Sequence, residues 1–150
     1  MQRRTLGGIY ECKLDDRSRF AIPAKVRAPF LESGAVVAWW LDECLIVVPT
    51  DHWPVLLNEV FGDMSPLDDK SREVSRFLMA GAQDQDLDKQ GRVMLSPQQR
   101  RHAGIESAVT VVGNRDYLEV WDPARLEERF ERMRGGGVER YARELADARA

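Results

Sequence analysis

Short hydrophobic runs alternate with short polar loops along most of the chain, and this pattern occurs twice. A shift of 73 positions without a gap aligns the two halves from about residue 14 to residue 121. Each half then has strand-like apolar runs on both sides of a charged loop, at 15–19 and at 88–92. The aligned identities are Leu14-Asp15 with Leu87-Asp88, Arg19 with Arg92, Arg27 with Arg100, Ala35-Val36 with Ala108-Val109, Leu45 with Leu118, and Val47 with Val120. The chain is therefore predicted to be a duplicated unit.

The periodicity predicts the same order of elements in both halves: strand, loop, strand, helix, strand, strand, helix. In the first half we expect strands at 10–14, 20–22, 35–40 and 44–48, a helix from Pro23 to about 33–34, a helix capped by Thr50 or Asp51 that runs to 61–62, and a helix at 66–80 with Val74, Phe77 and Leu78 on one face. In the second half we expect strands up to Leu87 and at 93–95, 108–112 and 118–121, with helices at 97–103 and from Asp122-Pro123 onward. Leu126, Phe130 and Met133 recur at helical spacing on that last helix, which is typical of core or interface residues.

This order predicts an α+β, barrel-like fold in one pseudo-symmetric domain at 1–134. Its repeats would cover about 7–55 and 80–128, joined by a helical segment at 56–79. Three glycines at 135–137 are predicted to break the last helix, which leaves 135–150 as a glycine-linked, charged helical tail.

The distribution of charge along the chain bears on whether the protein could bind nucleic acid. The 150 residues carry a net charge of −3, but residues 1–30 hold seven basic and three acidic side chains, a local balance of +4. A basic face on an acidic body is therefore possible, although Arg3 and Arg4 are expected to be a solvated terminus rather than a DNA-contacting arm.

Cys12 and Cys44 are far apart in sequence, which favours buried reduced thiols. The chain shows no signal peptide and no membrane-spanning run, so we expect a cytoplasmic protein with no membrane partner.

No catalytic or metal-binding motif is found. Asp84, Asp86 and Asp88 resemble the start of a calcium loop, but the positions for its glycine and glutamate hold Lys89 and Leu95. His52 and His102 have no second ligand at metal spacing, so both are expected to be surface or packing residues. We expect no enzymatic activity, no cofactor, no metal and no small-molecule substrate.

The two charged loops resemble those of a known family. Residues 14–27 and 87–95 are similar to the paired D-x-x-x-R loops of the MraZ family, within the AbrB/SpoVT superfamily. Further similar segments are 41–45, 80–82, 102–105, 112–115 and 118–121, so that the resemblance covers about residues 7–130. It implies a duplicated swapped-hairpin, AbrB-like β-barrel with peripheral helices. It also implies a nucleoid-associated transcriptional regulator, assembled as a ring-shaped homo-oligomer, which binds double-stranded DNA at short direct repeats in the promoter of its own cell division and cell wall operon.

The resemblance places the DNA contacts in the loops. They carry over to Arg17 and Arg19, to Lys89 and Arg92, and less directly to Arg27 and Arg100 in the helices that follow. Arginine offers a planar fork for phosphate or guanine, whereas lysine acts as a point charge. Asp15 and Asp88 are expected to organise the turns, and Gly91 to supply a positive φ or a close approach to phosphate.

Two features depart from the family pattern. Ser18 stands where glycine is usual, so the first loop is expected to differ in shape if that position needs a positive φ. Trp39 and Trp40 are adjacent on a predicted strand, and we expect one in the core and the other exposed at a subunit interface. That exposed tryptophan supports an alternative hypothesis, an oligomeric protein-binding adaptor whose loops are structural. Without the family resemblance, the Asp–Arg pairs are equally well explained as hairpin salt bridges.

Overall fold

The structure is a computed structural model that describes residues 5–150, so Arg3 and Arg4 lie outside the described residues. The described part contains eight strands and six α-helices. The strands are β1 Ile9–Lys13, β2 Arg19–Ala21, β3 Ala35–Trp39, β4 Leu45–Pro49, β5 Gln83–Gln85, β6 Arg92–Met94, β7 Ala108–Asn114 and β8 Tyr117–Trp121. The helices are α1 Ala28–Ser33, α2 Trp53–Phe61, α3 Asp69–Ala80, α4 Pro97–Ala103, α5 Pro123–Arg132 and α6 Val138–Arg149.

The two halves exchange their first strands. Six strands form an antiparallel sheet in the order β1-β7-β8-β4-β3-β5, so β1 of the first half pairs with β7 of the second, and β5 of the second half pairs with β3 of the first. The remaining strands, β2 and β6, pair with each other. The predicted α+β class with swapped hairpins is confirmed. The six-stranded sheet is open, with β1 and β5 as its two edges.

A pseudo-two-fold axis relates the halves and passes through two strand pairs. Phe20 opposes Val93 in the β2–β6 pair, and Ile46 opposes Glu119 in the β4–β8 pair. In each pair the partners are the residues that the shift of 73 aligns. The axis therefore places the residues just before β2 and β6, which are the two charged loops, on the same side of the molecule.

The gapless shift of 73 residues misaligns one strand of each half, β3 with β7, by one residue. Val36 pairs with Val48 and with Asp84, whereas the equivalent partners in the other half, Trp121 and Glu11, both pair with Thr110. Val36 thus corresponds to Thr110, not to Val109 as the gapless shift predicted. Burial agrees, because Ala35 and Val37 share the main core with Val109 and Val111. One extra residue between β6 and β7 accounts for the offset.

The core lies on both faces of the sheet. On one face the β2–β6 pair contributes Phe20 and Val93, which pack with β3, β4, β7 and β8. On the other face α2, α3 and α5 cover a second cluster that contains Trp40, Ile46 and Trp121. Strand β4 is buried along its full length because both of its faces are covered. Since Phe20 is only 1% exposed, we expect Phe20→Ala to cost about 3–5 kcal/mol of stability.

Several helix boundaries differ from the sequence prediction. The helix expected at residue 66 begins at Asp69, and the predicted cap of α2 by Thr50 or Asp51 is wrong: the N-cap residue is His52, without a side-chain capping bond. The start of α5 is confirmed, since the Asp122 carboxylate accepts a hydrogen bond from the Arg125 backbone N–H at 3.2 Å. No helix within residues 5–150 combines the length and apolar character that a membrane crossing requires.

Both cysteines are free thiols, Cys44 buried and Cys12 half-buried. Burial raises the pKa of each thiol. A thiol held neutral in this way is a poor nucleophile, which agrees with the prediction of structural, reduced cysteines.

Candidate nucleic-acid interface

The first charged loop is organised by Asp15. One oxygen of its carboxylate, Oδ1, accepts hydrogen bonds from the backbone N–H groups of Arg17 and Arg19, both at 2.9 Å. The other, Oδ2, accepts a bond from Arg19 Nε at 2.9 Å. The backbone hydrogen bond from Arg19 is the largest cause of a lowered pKa for Asp15. The predicted role of this aspartate, to shape the turn and orient the arginine, matches the observed geometry.

The second loop repeats this arrangement bond for bond. Asp88 Oδ1 accepts from the N–H groups of Gln90 and Arg92 at 2.9 and 3.0 Å, and Asp88 Oδ2 accepts from Arg92 Nε at 2.7 Å. The pKa of Asp88 is lowered, and again the backbone bond from the loop arginine is the largest cause. Each carboxylate thus holds its arginine by a charge-assisted bond, the stronger class of hydrogen bond.

Ser18 adopts the backbone conformation of the glycine that it replaces. Its φ is 59°, and φ at Gly91 is 73°. Both residues donate an N–H bond to the aspartate carbonyl that opens the turn, at 3.0 Å to Asp15 and 2.9 Å to Asp88. The position does require a positive φ, but the expectation of a differently shaped first loop is wrong. The hydrogen bonds to Asp15 outweigh a left-handed serine's cost of about 1 kcal/mol.

The β2–β6 pair brings the two loops together. Because Phe20 and Val93 point into the core, the alternation of a strand places Arg19 and Arg92 on the outer face. Arg92 Nη1 crosses between the loops and lies 3.3 Å from Asp15 Oδ2. The side chains of Arg19 and Arg92 are 26% and 29% exposed, so each is partly committed to ion pairs and partly open to solvent.

The exposed cations of the loops are Arg17 and Lys89. Neither forms an ion pair with any described residue. They occupy different places in the turn: Arg17 corresponds to Gln90, and Lys89 corresponds to Asp16. The two loops therefore share a scaffold and present different charges.

Comparison with known proteins identifies the family. Residues 5–77 and 78–138 each match the family described as "MraZ protein, putative antitoxin-like". The Transcriptional regulator MraZ of Cutibacterium acnes is 39% identical over 122 residues, which are 81% of this chain and 84% of that protein. The Transcriptional regulator MraZ of Thermomicrobium roseum is 35% identical over 130 residues, 87% of this chain and 90% of that protein. This chain belongs to the MraZ family. The recognition made from the loops is confirmed, and the match in two consecutive segments supports the duplication.

In this member of the MraZ family, Arg27 is bound to the chain through its Nε. That nitrogen donates to the Ile22 carbonyl at 2.6 Å, and the side chain passes over Gly91, where an added Cβ would lie 2.6 Å from Arg27 Cδ. Gly91 thus supplies a positive φ, as predicted, and also leaves room for an arginine. Arg100, the counterpart of Arg27, has a buried Nε without a partner among the described residues.

One contact of the interface was not foreseen. The side-chain amide of Gln85 donates to the Met94 carbonyl at 2.7 Å and accepts from the Met94 N–H at 2.8 Å, which satisfies the outer edge of β6. The repeat could not reveal this, because Cys12 occupies the equivalent position in the first half. Gln85 is the side chain that fixes the second loop's strand to the sheet.

Both tryptophans pack against their own chain, Trp40 completely and Trp39 in part. Trp40 is buried, as one of the two was predicted to be. Trp39 is half-buried and stacks on Phe77 and His102 at ring distances of 5.1 and 5.6 Å, while its Nε1 donates to the Phe77 carbonyl at 2.6 Å. The expectation of an exposed tryptophan is therefore wrong in degree, since Trp39 is half-buried against its own chain, and the adaptor hypothesis stays a prediction with less exposed aromatic surface than expected. His102 is a packing residue, as predicted, and also bonds the Trp40 carbonyl at 2.8 Å.

Proposed function

We propose that this chain is a sequence-specific DNA-binding regulator of transcription that contacts the duplex with its two Asp–Arg loops and the outer face of the β2–β6 pair. The observation that carries the proposal is the paired geometry: two loops with the same hydrogen bonds stand side by side about the pseudo-two-fold axis. A two-stranded ribbon of this kind fits the major groove of B-DNA. Its relatives in the family are described as transcriptional regulators, in agreement with the expectation that the chain is not an enzyme.

The residues divide into two roles. Arg17 and Lys89 are exposed and free of ion pairs among the described residues, so they are the proposed phosphate contacts. Arg19 and Arg92 are held at Nε by aspartates, which fixes the orientation of each guanidinium group. Both terminal nitrogens of Arg19, and the Nη2 of Arg92, whose Nη1 contacts Asp15, are the groups proposed to face a base edge or a phosphate. Arg27 and Arg100 are proposed as secondary contacts, since both have partly buried side chains.

The DNA target and the oligomeric assembly are proposed from the family resemblance. The target would be short direct repeats in the promoter of the protein's own cell division and cell wall operon, bound by a ring-shaped homo-oligomer on the nucleoid in the cytoplasm. Several weak loops that engage successive repeats would bind tightly, because every contact after the first is intramolecular. Operators with altered repeat spacing should then lose affinity even when each repeat is intact.

Binding to DNA from immediately upstream of the gene tests the proposal, with an unrelated fragment of equal length as the control DNA. Fluorescence anisotropy at two salt concentrations should show selective binding that weakens with salt. Arg17→Glu and Lys89→Glu are the most informative variants, since neither breaks an ion pair within residues 5–150. Each should lower affinity about tenfold or more and reduce the salt dependence.

Arg19→Glu and Arg92→Glu should abolish selective binding, and Arg19→Glu also shows whether the first loop takes part. Lys70→Glu on α3 makes the same change of net charge and serves as the matched control. Equal binding by the Arg17, Lys89 and Lys70 variants would contradict the assignment of the loops. Absence of selective binding by the unmodified chain would contradict the function itself.

A further inference from the structure

Helix α6 is amphipathic and is exposed to solvent along its whole length. All residues from 138 to 150 are exposed, and the larger apolar ones, Val138, Tyr141 and Leu145, are 55%, 47% and 63% exposed. The helix follows a wide turn at Met133–Gly137, in which Gly136 has a φ of 113°. The family match ends at residue 138, where α6 begins. A helix with an uncovered apolar stripe calls for a partner.

The spacing of its apolar residues is that of a coiled coil. Val138, Tyr141, Leu145 and Ala148 follow one another at intervals of three, four and three residues, which are the a and d positions of two heptads. The outward b, c and f positions include four charged side chains, Glu139, Arg140, Arg143 and Asp147. A stripe this narrow fits one other helix better than the broad face of a sheet.

The flanking charges identify the partner. With Val138 at a, Glu144 falls at g and Arg149 at e. In a parallel pair of identical helices, the g residue of one helix faces the e residue five positions later on the other. Glu144 of one copy would therefore face Arg149 of the second copy, twice in each pair. An antiparallel pair would not bring these two opposite charges together.

The polar face argues against other partners. Three acidic and three basic side chains balance one another between residues 138 and 150. Binding to an anionic membrane or to DNA draws on an excess of basic residues, which α6 does not have.

We propose that α6 forms a parallel two-helix coiled coil with α6 of a second copy of this chain. Twelve residues form only a marginal helix alone, so the pair would strengthen contacts between protomers rather than create the assembly. The turn at Gly135–Gly136 can orient the helix, since a side chain added at either residue would meet no atom within 4 Å. The proposal concerns protein contacts only and does not rest on the DNA-binding loops.

Sedimentation of the full chain without DNA tests the pairing. Leu145→Asp places a charge in the stripe, and Ala146→Asp places the same charge on the outer face of the same turn. Leu145→Asp should raise the concentration at which the assembly half-dissociates by about tenfold or more, whereas Ala146→Asp should leave it within about twofold. Equal behaviour of the two variants would overturn the proposal. Promoter binding measured in parallel keeps this result separate from the proposed function.

A charge exchange tests the parallel arrangement. Glu144→Arg and Arg149→Glu should each weaken association, because each places like charges at the g and e positions. The double variant should restore it, since the pair is then reversed but complementary. Failure of the double variant to recover would overturn parallel pairing. Leu145-dependent binding to vesicles with anionic lipid, with self-association unaffected, would assign the stripe to a membrane surface and overturn the proposal.

Discussion

The two charged loops have the same backbone and differ in almost everything that is not needed to build it. Asp15 and Asp88 make corresponding hydrogen bonds, and the fourth residue of each turn has a positive φ. The two middle residues are Asp16-Arg17 in one loop and Lys89-Gln90 in the other. The turn therefore depends on its aspartate, its arginine and its left-handed position, while the exposed middle residues are free to differ in charge between the loops.

The packing behind the loops also breaks the symmetry. Asp15 bonds its own arginine and Arg92, whereas Asp88 bonds only its own among the described residues. Gly91 gives Arg27 room to reach the Ile22 carbonyl, while on the side of Ser18 the Nε of Arg100 has no partner in the described chain. The second loop is thus the better packed of the two, and the first carries the shared ion pair.

Among changes within the two loops, an exchange at the left-handed position is expected to have the largest effect on stability. Gly91→Ser adds a left-handed serine and places its Cβ against Arg27, whose bond to the Ile22 carbonyl would be strained or lost. We expect a loss of about 2 kcal/mol in the free energy of unfolding, measured by chemical denaturation. Gly135→Ser, at a position with open space and no positive φ, is the control and should change stability by less than about 0.5 kcal/mol. A loss equal to that of the control would show that Arg27 moves aside without cost.

The shared ion pair predicts unequal roles for the two aspartates. Asp15→Ala removes an ion-pair partner from both Arg19 and Arg92, whereas Asp88→Ala removes a partner from Arg92 alone. In either variant Arg92 keeps its other aspartate. Both variants gain positive charge, so binding to unrelated DNA should rise in both. The preference for promoter over unrelated DNA should fall in both, and by about tenfold in Asp15→Ala, because Arg19 then has no aspartate among the described residues and Arg92 has lost one of its two. A greater fall in Asp88→Ala would reverse the ranking of the loops.

How much the sequence could predict depends on whether a feature is local. The turn at Asp15 and Asp88 was predictable, since an aspartate four residues before an arginine forms its bonds within one loop. The contact from Arg92 to Asp15 was not, because it exists only after β2 pairs with β6. The shape of the first loop was predicted wrongly for a related reason. Serine intrinsically disfavours a positive φ, but the hydrogen bonds of the turn outweigh that preference at Ser18.

The alignment of the two repeats placed β7 one residue away from its true correspondence with β3. Ala-Val occurs at 35–36 and again at 108–109, so a gapless shift gains two identities there. In the sheet, however, Val36 corresponds to Thr110. A chance identity between small apolar residues outweighed one extra loop residue, and only the strand register shows the correct pairing. The partial burial of Trp39 was likewise hidden from a local reading of the sequence. The residue that stacks on it, Phe77, lies in α3, 38 residues later in the chain.

Ser18→Gly should improve the first loop, with a smaller effect than the reverse exchange. It removes the strain of a left-handed serine. It also gives the Arg100 side chain the space that Arg27 has beside Gly91, so that Arg100 Nε can approach the Leu95 carbonyl. That carbonyl corresponds to the Ile22 carbonyl in the first half. We expect a gain of up to about 1 kcal/mol in the free energy of unfolding. Ser107→Gly, at an exposed position without a positive φ, should give a small loss by thermal denaturation. A loss at both positions would show that Ser18 carries no strain.

Acid titration tests the equivalence of the two turns with the smallest disturbance. The pKa of Asp15 and of Asp88 is lowered in the folded chain, chiefly by a backbone hydrogen bond from Arg19 and from Arg92. Because the folded pKa lies below the unfolded value of about 3.9, each aspartate stabilises the fold fully above that value. This contribution is lost as the pH falls through the folded pKa. Carboxyl-carbon NMR should therefore show both residues titrating below the ordinary aspartate range. If Asp15 alone titrated at the ordinary value, the serine-containing turn would be open in solution, and the two loops would no longer share one backbone.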